Sequence, residues 1–305
     1  MTVSIIEKIN NLKKKRNAVI LSHNYQSAEV QDIADFTGDS LELSRKAAAT
    51  DADVIVFCGV LFMAETASIL SPNKTVLLPD KTAGCPMADM ITAKQLGELK
   101  EKYPDAVVVC YVNSSAEVKA ISDYCCTSSN AVEIVNSIDA KKKIIFVPDK
   151  NLGQVVMEKT GRDLVLWPGY CPTHVFATAE DVKKIKAAHP DAVTLAHPEC
   201  PRPVRDCADE LLSTGQLLKY VRASEKKEFI IATEIGIIHT LKKQNPDKTF
   251  YPASGKFICP NMKKITLEKV LFSLEDNKYI IKVPQDIAQK AKKAIDRMVA
   301  VLPKG

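Results

Sequence analysis

The sequence predicts an α/β protein made of three homologous αβα units, each with a small parallel sheet, arranged with pseudo-threefold symmetry. Three observations predict this. Short apolar runs with strand character alternate with stretches of helical period, which implies parallel sheets covered by helices. One segment recurs: Lys100-Glu-Lys-Tyr-Pro104-Asp-Ala-Val107 matches Lys186-Ala-Ala-His-Pro190-Asp-Ala-Val193, 86 positions further on. The same 86 positions carry Cys85-Pro86 onto Cys171-Pro172, and Cys259-Pro260 follows 88 later. Repeats of this length mean one structural unit copied, so the three Cys-Pro loops are expected to meet at a central metal site on the common axis.

In chain order, the first unit opens with a helix whose apolar face is Ile5, Ile6, Ile9 and Leu12. Residues 17–21 then form a buried strand, which a shift of 88 lays on 105–109. This helix–strand pair is expected near 5–25, 93–113 and 178–199. A loop, a second helix and a strand–helix–strand follow each time. Strands are predicted at 54–58, 144–147 and 229–232. Further strands at 75–78, 164–167 and 249–251 lead into the Cys-Pro loops. The units are expected at 1–84, 85–170 and 171–259. The tail, 260–305, supplies a helix (266–274), a short strand (279–283) and a last helix (287–301), and is expected to pack back on the first unit. Right-handed crossovers gather the functional loops at the carboxyl ends of the strands.

Bulk composition narrows the function classes. With 46% hydrophobic and 26% charged residues in 305, the chain is ordinary globular protein with room for several cores. The net charge of +5 suits small anionic substrates, and the basic runs at 13–16 and 141–143 are too scattered to form a nucleic-acid stripe. The longest apolar run, 54–64, is well short of the roughly 20 residues of a membrane helix. Lys8 and residues 13–16 follow the first apolar residues instead of preceding them, unlike a signal peptide, so a cytoplasmic protein is expected. Nine cysteines, an odd number, point to metal or redox chemistry in a reducing compartment.

The repeat sorts scattered residues into sets. Cys85, Cys171 and Cys259 each follow a strand, precede a proline and open onto a helix, whose N-terminus favours thiolate. Three thiolates on one axis leave a metal position open, the mark of a catalytic site. Cys58 and Cys110 lie in strands, and Cys125, Cys126 and Cys207 in or beside helices, as packing residues. Cys200 also precedes a proline, but out of register, and is the competing ligand. Trp167, near Cys171, either shields the metal or simply packs.

A second set stands at strand ends. The offsets align His23, Tyr111 and His197, and likewise Tyr25, Asn113 and Glu199, each pair spaced to leave the same side of its strand. A third set, Ser40, Ser128 and Thr214, falls at the start of the second helix. These hydroxyls either cap the helices or help the helix N-termini hold anions. There is no glycine-rich dinucleotide loop, no Walker A loop, no Gly-x-Ser-x-Gly elbow and no closely spaced cysteine triplet.

Over essentially its whole length the chain resembles the quinolinate synthase (NadA) family of NAD biosynthesis. The resemblance is carried by Ser22-His-Asn-Tyr-Gln26, Gly38-Asp-Ser40, Gly84-Cys-Pro-Met-Ala-Asp89, Tyr111-Val-Asn113, Trp167-Pro-Gly-Tyr-Cys-Pro-Thr-His174, His197-Pro-Glu-Cys200 and Cys259-Pro260. It implies a [4Fe–4S] cluster on Cys85, Cys171 and Cys259 with one iron open to substrate, acting as a Lewis acid. It implies condensation of iminoaspartate with dihydroxyacetone phosphate to quinolinate, with release of phosphate and water. It also implies substrate binding by His23, Ser40, Tyr111, Val112, Asn113, Ser128, His197, Pro198, Glu199 and Thr214. An aspartate oxidase or dehydrogenase would supply the iminoaspartate. Monomer and homodimer are both compatible.

Glu199 is then the best-placed general base and Tyr25 its acid or base partner. Some family members carry two more cysteines beside the last ligand; here Cys259-Pro-Asn-Met-Lys-Lys has one, which removes disulfide regulation there. Another iron–sulfur hydro-lyase, a non-enzymatic iron–sulfur sensor and a three-thiolate zinc enzyme are the alternatives.

Overall fold

The computed structural model describes residues 4–301; residues 1–3 and 302–305, the outer ends of the first unit and the tail, lie outside the described residues. Each unit carries one four-stranded, all-parallel sheet. The first runs α1 (Ile5–Lys15), β1 (Ala18–His23), α2 (Ala28–Asp32), β2 (Phe36–Gly38), α3 (Ser40–Ala49), β3 (Val54–Cys58), α4 (Leu61–Leu70) and β4 (Thr75–Leu77). The second runs α5 (Ala93–Lys102), β5 (Val107–Tyr111), α6 (Ala116–Ala120), β6 (Tyr124–Cys126), α7 (Ala131–Ser137), β7 (Ile144–Val147), α8 (Lys150–Thr160) and β8 (Leu164–Leu166). The third runs α9 (Pro172–Val175), α10 (Ala179–Ala188), β9 (Val193–Ala196), α11 (Arg202–Arg205), β10 (Glu210–Leu211), α12 (Thr214–Ala223), β11 (Glu228–Ala232), α13 (Ile237–Gln244) and β12 (Thr249–Pro252). The tail adds α14 (Leu267–Asp276) and α15 (Gln285–Ala300).

The sheet orders are β2-β1-β3-β4, β6-β5-β7-β8 and β10-β9-β11-β12. Each is the same order, with its topological switch beside the first strand of the unit, where open α/β sheets place ligands. The edge strands β2, β6 and β10 were not expected from the sequence. One aspartate enters each of them. Asp35, Asp123 and Asp209 accept the N–H of Ile20, Val108 and Thr194 at 2.8, 2.8 and 2.7 Å. Their own N–H groups donate back to the carbonyls of the same three residues. The aspartate thus fixes the register of the edge strand and ends the preceding turn in all three units.

One continuous core joins the three units: Ile20 and Phe57 of the first, Val109 and Phe146 of the second and Phe229 and Ile231 of the third belong to it. Ile230, Ala232, Phe257 and Cys200 form a smaller core in the third unit. Gly236 lets that unit approach the loop after β1, because a Cβ there would stand 2.8 Å from the Tyr25 carbonyl carbon and the Gln26 oxygen.

The tail departs from expectation in two ways. The predicted strand at 279–283 is only a bridge, in which Leu78 and Tyr279 exchange backbone hydrogen bonds at 3.0 and 3.2 Å along the edge of β4. And although α14 lies on α1 of the first unit, α15 lies chiefly across α6 and β6 of the second. There Arg297 donates to the Asp123 carbonyl and Asn130 to the Met298 carbonyl. The apolar stripe of α15, Ala291, Ala294, Ile295 and Met298, is fully buried and sets that position.

Candidate active site

The carboxyl ends of the three sheets enclose one cavity. Cys85, Cys171 and Cys259 line it together with His23, Tyr25, Ser40, Tyr111, Asn113, Ser128, His197, Glu199 and Thr214. The Val112 side chain is instead packed in the core, and Pro198 lines a neighbouring cleft between α3, α7 and α12. Cys200, the competing cysteine, is fully buried in the third core and donates its thiol to the Ala232 carbonyl at 3.4 Å. Trp167 donates Nε1–H to the Met90 carbonyl at 2.9 Å, tying the turn after Cys85 to the end of β8.

Each cysteine of the triad opens onto a short helical turn, as expected for Cys171, whose turn is α-helical, while those after Cys85 and Cys259 are 3₁₀. Cys171 is the N-cap of α9 with Pro172 at its first position, and short 3₁₀ turns follow Cys85 and Cys259. Backbone N–H groups of these turns reach the sulfurs: Ala88 and Met87 to Cys85, His174 to Cys171, Met262 and Asn261 to Cys259. Burial still wins. It pushes the Cys85 thiol up to about 12 and raises Cys171 and Cys259 as well. Buried thiols raised in this way become thiolates when a cation supplies the missing charge. The donor set therefore fits a metal centre. The sulfurs of Cys85, Cys171 and Cys259 do not all lie within 4.8 Å of one another, a spacing that suits ligands of separate irons better than ligands of one ion.

A tighter group, Cys171, His174 and Glu199, has ligand atoms within 4.8 Å of one another and could hold a single ion. Those atoms are already committed to each other. His174 Nδ1 stands 2.7 Å from Glu199 Oε2 and 3.2 Å from Cys171 Sγ. Glu199 Oε1 accepts the Tyr111 hydroxyl at 2.6 Å, and His174 Nε2 lies 2.8 Å from Thr233 Oγ1. Tyr25 OH lies 2.8 Å from the same Thr233 oxygen and 3.0 Å from Thr214 Oγ1. An acid–base network therefore spans all three units.

The two strand-end histidines have the same tautomer for the same reason. His23 Nδ1 accepts the Tyr25 N–H at 3.1 Å, and His197 Nδ1 accepts the Glu199 N–H at 3.2 Å. Each Nε2 then carries the hydrogen. His197 donates it to Ser128 Oγ, 3.2 Å away. Burial pushes His23 down to about 3 and His197 to about 4, so both are neutral donors at physiological pH. For Glu199 burial acts to raise the carboxyl, but His174, His197 and Tyr111 outweigh it and hold it at about 2. Burial, and next the Glu199 charge, hold the Tyr25 and Tyr111 phenols well above their usual value.

The hydroxyl set does not cap the helices. Asp39 caps α3 by accepting from Leu41 and Glu42 N–H, and Ser213 caps α12 by accepting from Gln216 N–H. Ser40 and Thr214, one position on, are left to face the cavity. Ser128 lies in the turn before α7, whose N-cap is Asn130. Outside these hydroxyls, Ser129 Oγ joins the two caps, lying 2.9 Å from both Asp39 Oδ2 and Ser213 Oγ.

His174, Thr233 and Glu234 stand in the site although no role was expected of them from the sequence; only His174 lay in a quoted motif. Glu234 is fully buried at the end of β11; its Oε1 accepts the Cys259 N–H at 3.1 Å and pairs with Lys263 at 2.9 Å. Its signal was the end of the third strand in each unit, where Asp149 and Glu234 take equivalent places. His174 had a local signal, one helical turn after Cys171.

Three sheets whose carboxyl ends close on half-buried thiols and a hydrogen-bonded side-chain network define an α/β enzyme of triplicated build. The profile described as Quinolinate synthetase A protein matches residues 7–300. The chain is 54% identical over 298 residues to the quinolinate synthase of Thermodesulfovibrio yellowstonii, covering 97% of this chain and 98% of that protein. It is 56% identical over 297 residues to quinolinate synthase 2 of Methanosarcina acetivorans, covering 97% and 96%. It is 54% identical over 298 residues to the quinolinate synthase of Geobacter metallireducens, covering 98% of both. The chain belongs to the NadA family, the quinolinate synthases. Among the described residues no helix is long and apolar enough to cross a membrane.

Proposed function

We propose that this enzyme condenses iminoaspartate with dihydroxyacetone phosphate to quinolinate, releasing phosphate and two waters, as a step of NAD biosynthesis. The observation that carries the reading is the single cavity that gathers Cys85, Cys171 and Cys259 with the Tyr25, Tyr111, His174 and Glu199 network. Cys85, Cys171 and Cys259 would hold a [4Fe–4S] cluster, which when bound supplies Lewis acidity toward substrate oxygen and nitrogen at an iron without a protein ligand.

The remaining chemistry belongs to the chain. The two substrates bring two carboxylates and one phosphate. His23 and His197 offer neutral N–H donors to them, and Ser40, Ser128 and Thr214 offer hydroxyls, two of these on helix N-termini that favour anions. The buried Asn113 Oδ1 has no hydrogen-bond partner, and the imine N–H of the substrate supplies one. Glu199, held at about 2, is ionised but weak as a lone base. Its Oε2 lies 2.7 Å from His174 Nδ1, which orients the carboxylate toward the cavity. Burial keeps Tyr25 and Tyr111 protonated as donors to developing oxyanions. An aspartate oxidase or dehydrogenase is the class of enzyme that makes the imine.

The test is product analysis on anaerobically reconstituted protein given both substrates. Quinolinate and phosphate should appear in equal amounts. A protein with its full iron content that forms neither contradicts the proposal.

A further inference from the structure

One hydrogen bond recurs in all three units where the cysteine loops meet the sheets. The strands β3, β7 and β11 end two residues before Val60, Asp149 and Glu234. The residue after each of these, Leu61, Lys150 and Ile235, donates its backbone N–H to the carbonyl two positions before the cysteine. The acceptors are Ala83, Gly169 and Phe257, at 2.8, 2.9 and 2.9 Å. Beside this backbone clamp the symmetry breaks. Glu234 is fully buried; its Oε1 accepts the Cys259 N–H at 3.1 Å and its Oε2 the Gly236 N–H at 2.7 Å, while Lys263 stands 2.9 Å away as the cation. Asp149, also fully buried, accepts the Leu152 N–H at 2.8 Å, and the Cys171 N–H lies against its carboxyl. The valine at 60 has nothing to accept with.

We propose that Asp149 and Glu234 are positioning residues for the metal centre: they brace the turns that present Cys171 and Cys259, and leave Cys85, with no carboxyl at that place, as the adjustable corner. The inference rests on the reading of these cysteines as the ligands of the cluster, and not on the reaction. A cysteine whose own N–H is tied to a buried carboxyl cannot swing its sulfur by turning its backbone, so two sulfurs are held in place before any metal is bound. Removing the acceptor leaves a buried N–H unpaired, and the turn relieves this by opening toward water. The turn after Cys85 carries no such penalty.

The first measurement uses the metal-free wild type. Relative to intrinsic rates, the amides of Cys171 and Cys259 should exchange hydrogen at least about tenfold more slowly than that of Cys85. Equal protection at all three contradicts the braces. The second uses Glu234→Met, which fills the space but cannot accept, and Glu234→Gln, whose amide oxygen can. In metal-free Glu234→Met, alkylation of Cys259 by iodoacetamide, counted by mass spectrometry, should speed up at least about fivefold while Cys85 changes by less than about twofold. Glu234→Gln should keep most of the wild-type protection. An unchanged Cys259 in Glu234→Met overturns the proposal. So does equal acceleration of all three cysteines, the mark of a general loosening. Reconstituted Glu234→Met should also lose iron to a ferrous chelator about tenfold faster than the wild type. Loss at the wild-type rate overturns the proposal as well. If the methionine variant does not fold, amide exchange in the wild type decides. A wild type that takes up no cluster sinks the cofactor reading instead, and exchange and alkylation still decide the braces.

Discussion

His174 Nδ1 lies 2.7 Å from Glu199 Oε2, and both side chains are buried. The pair joins the turn that Cys171 opens to the loop after β9, so the proposed base and the proposed metal-binding turn are tied together. Glu199→Gln keeps the shape and the Tyr111 contact but cannot take a proton. Turnover should fall at least about a hundredfold with iron content unchanged. Near-wild-type turnover in a steady-state assay would remove Glu199 from this role.

His23 and His197 make the fold acid-sensitive. Their native values, about 3 and about 4, lie below the 6.5 of the unfolded chain. The unfolded state therefore binds more protons below pH 6.5. Stability is full above that pH and falls as pH drops, by about 1.4 kcal/mol per pH unit for each histidine. Urea unfolding of metal-free protein at pH 7.5 and 5.5 should show this loss, and a His23→Gln, His197→Gln double variant should lose distinctly less. Equal losses in both proteins would show that other groups carry the effect.

Gly215, in the first turn of α12, inverts the usual helix rule. Alanine in a helix is ordinarily better than glycine by about 1 kcal/mol. Here a Cβ would meet Asp39 Oδ2 at 2.6 Å, displacing the carboxylate that caps α3 and accepts from Ser129. Gly215→Ala should destabilise by about 1 kcal/mol, the worth of an N-cap. A raised thermal midpoint would contradict this.

The strands 54–58 and 144–147 were legible because they are continuous apolar runs, and the cysteine triad because a repeat superimposes it. The edge strands β2, β6 and β10 were not: two or three residues give no periodicity, and their real signal was the aspartate at 35, 123 and 209, which obeys the same offsets. The tail misled because α15 is amphipathic whichever unit it covers; its seat on α6 and β6 is a tertiary choice. His174 and Thr233 escaped because they exist only in the third unit, and a repeat reveals what is shared. The Ser40 and Thr214 capping option fell because Asp39 and Ser213, one residue earlier, are themselves the N-caps.

The proposed chemistry depends above all on three distant cysteines holding one cluster with a free iron. Iron and sulfide should be measured after anaerobic reconstitution of wild type, Cys85→Ser, Cys171→Ser, Cys259→Ser and Cys200→Ser, with circular dichroism to verify folding. Brown absorbance and full iron are expected in the wild type and Cys200→Ser, and their loss in each of the other three. Full iron in any of those three, or a wild type that takes up a single zinc through Cys171, His174 and Glu199, would show that the cluster is not held in this way.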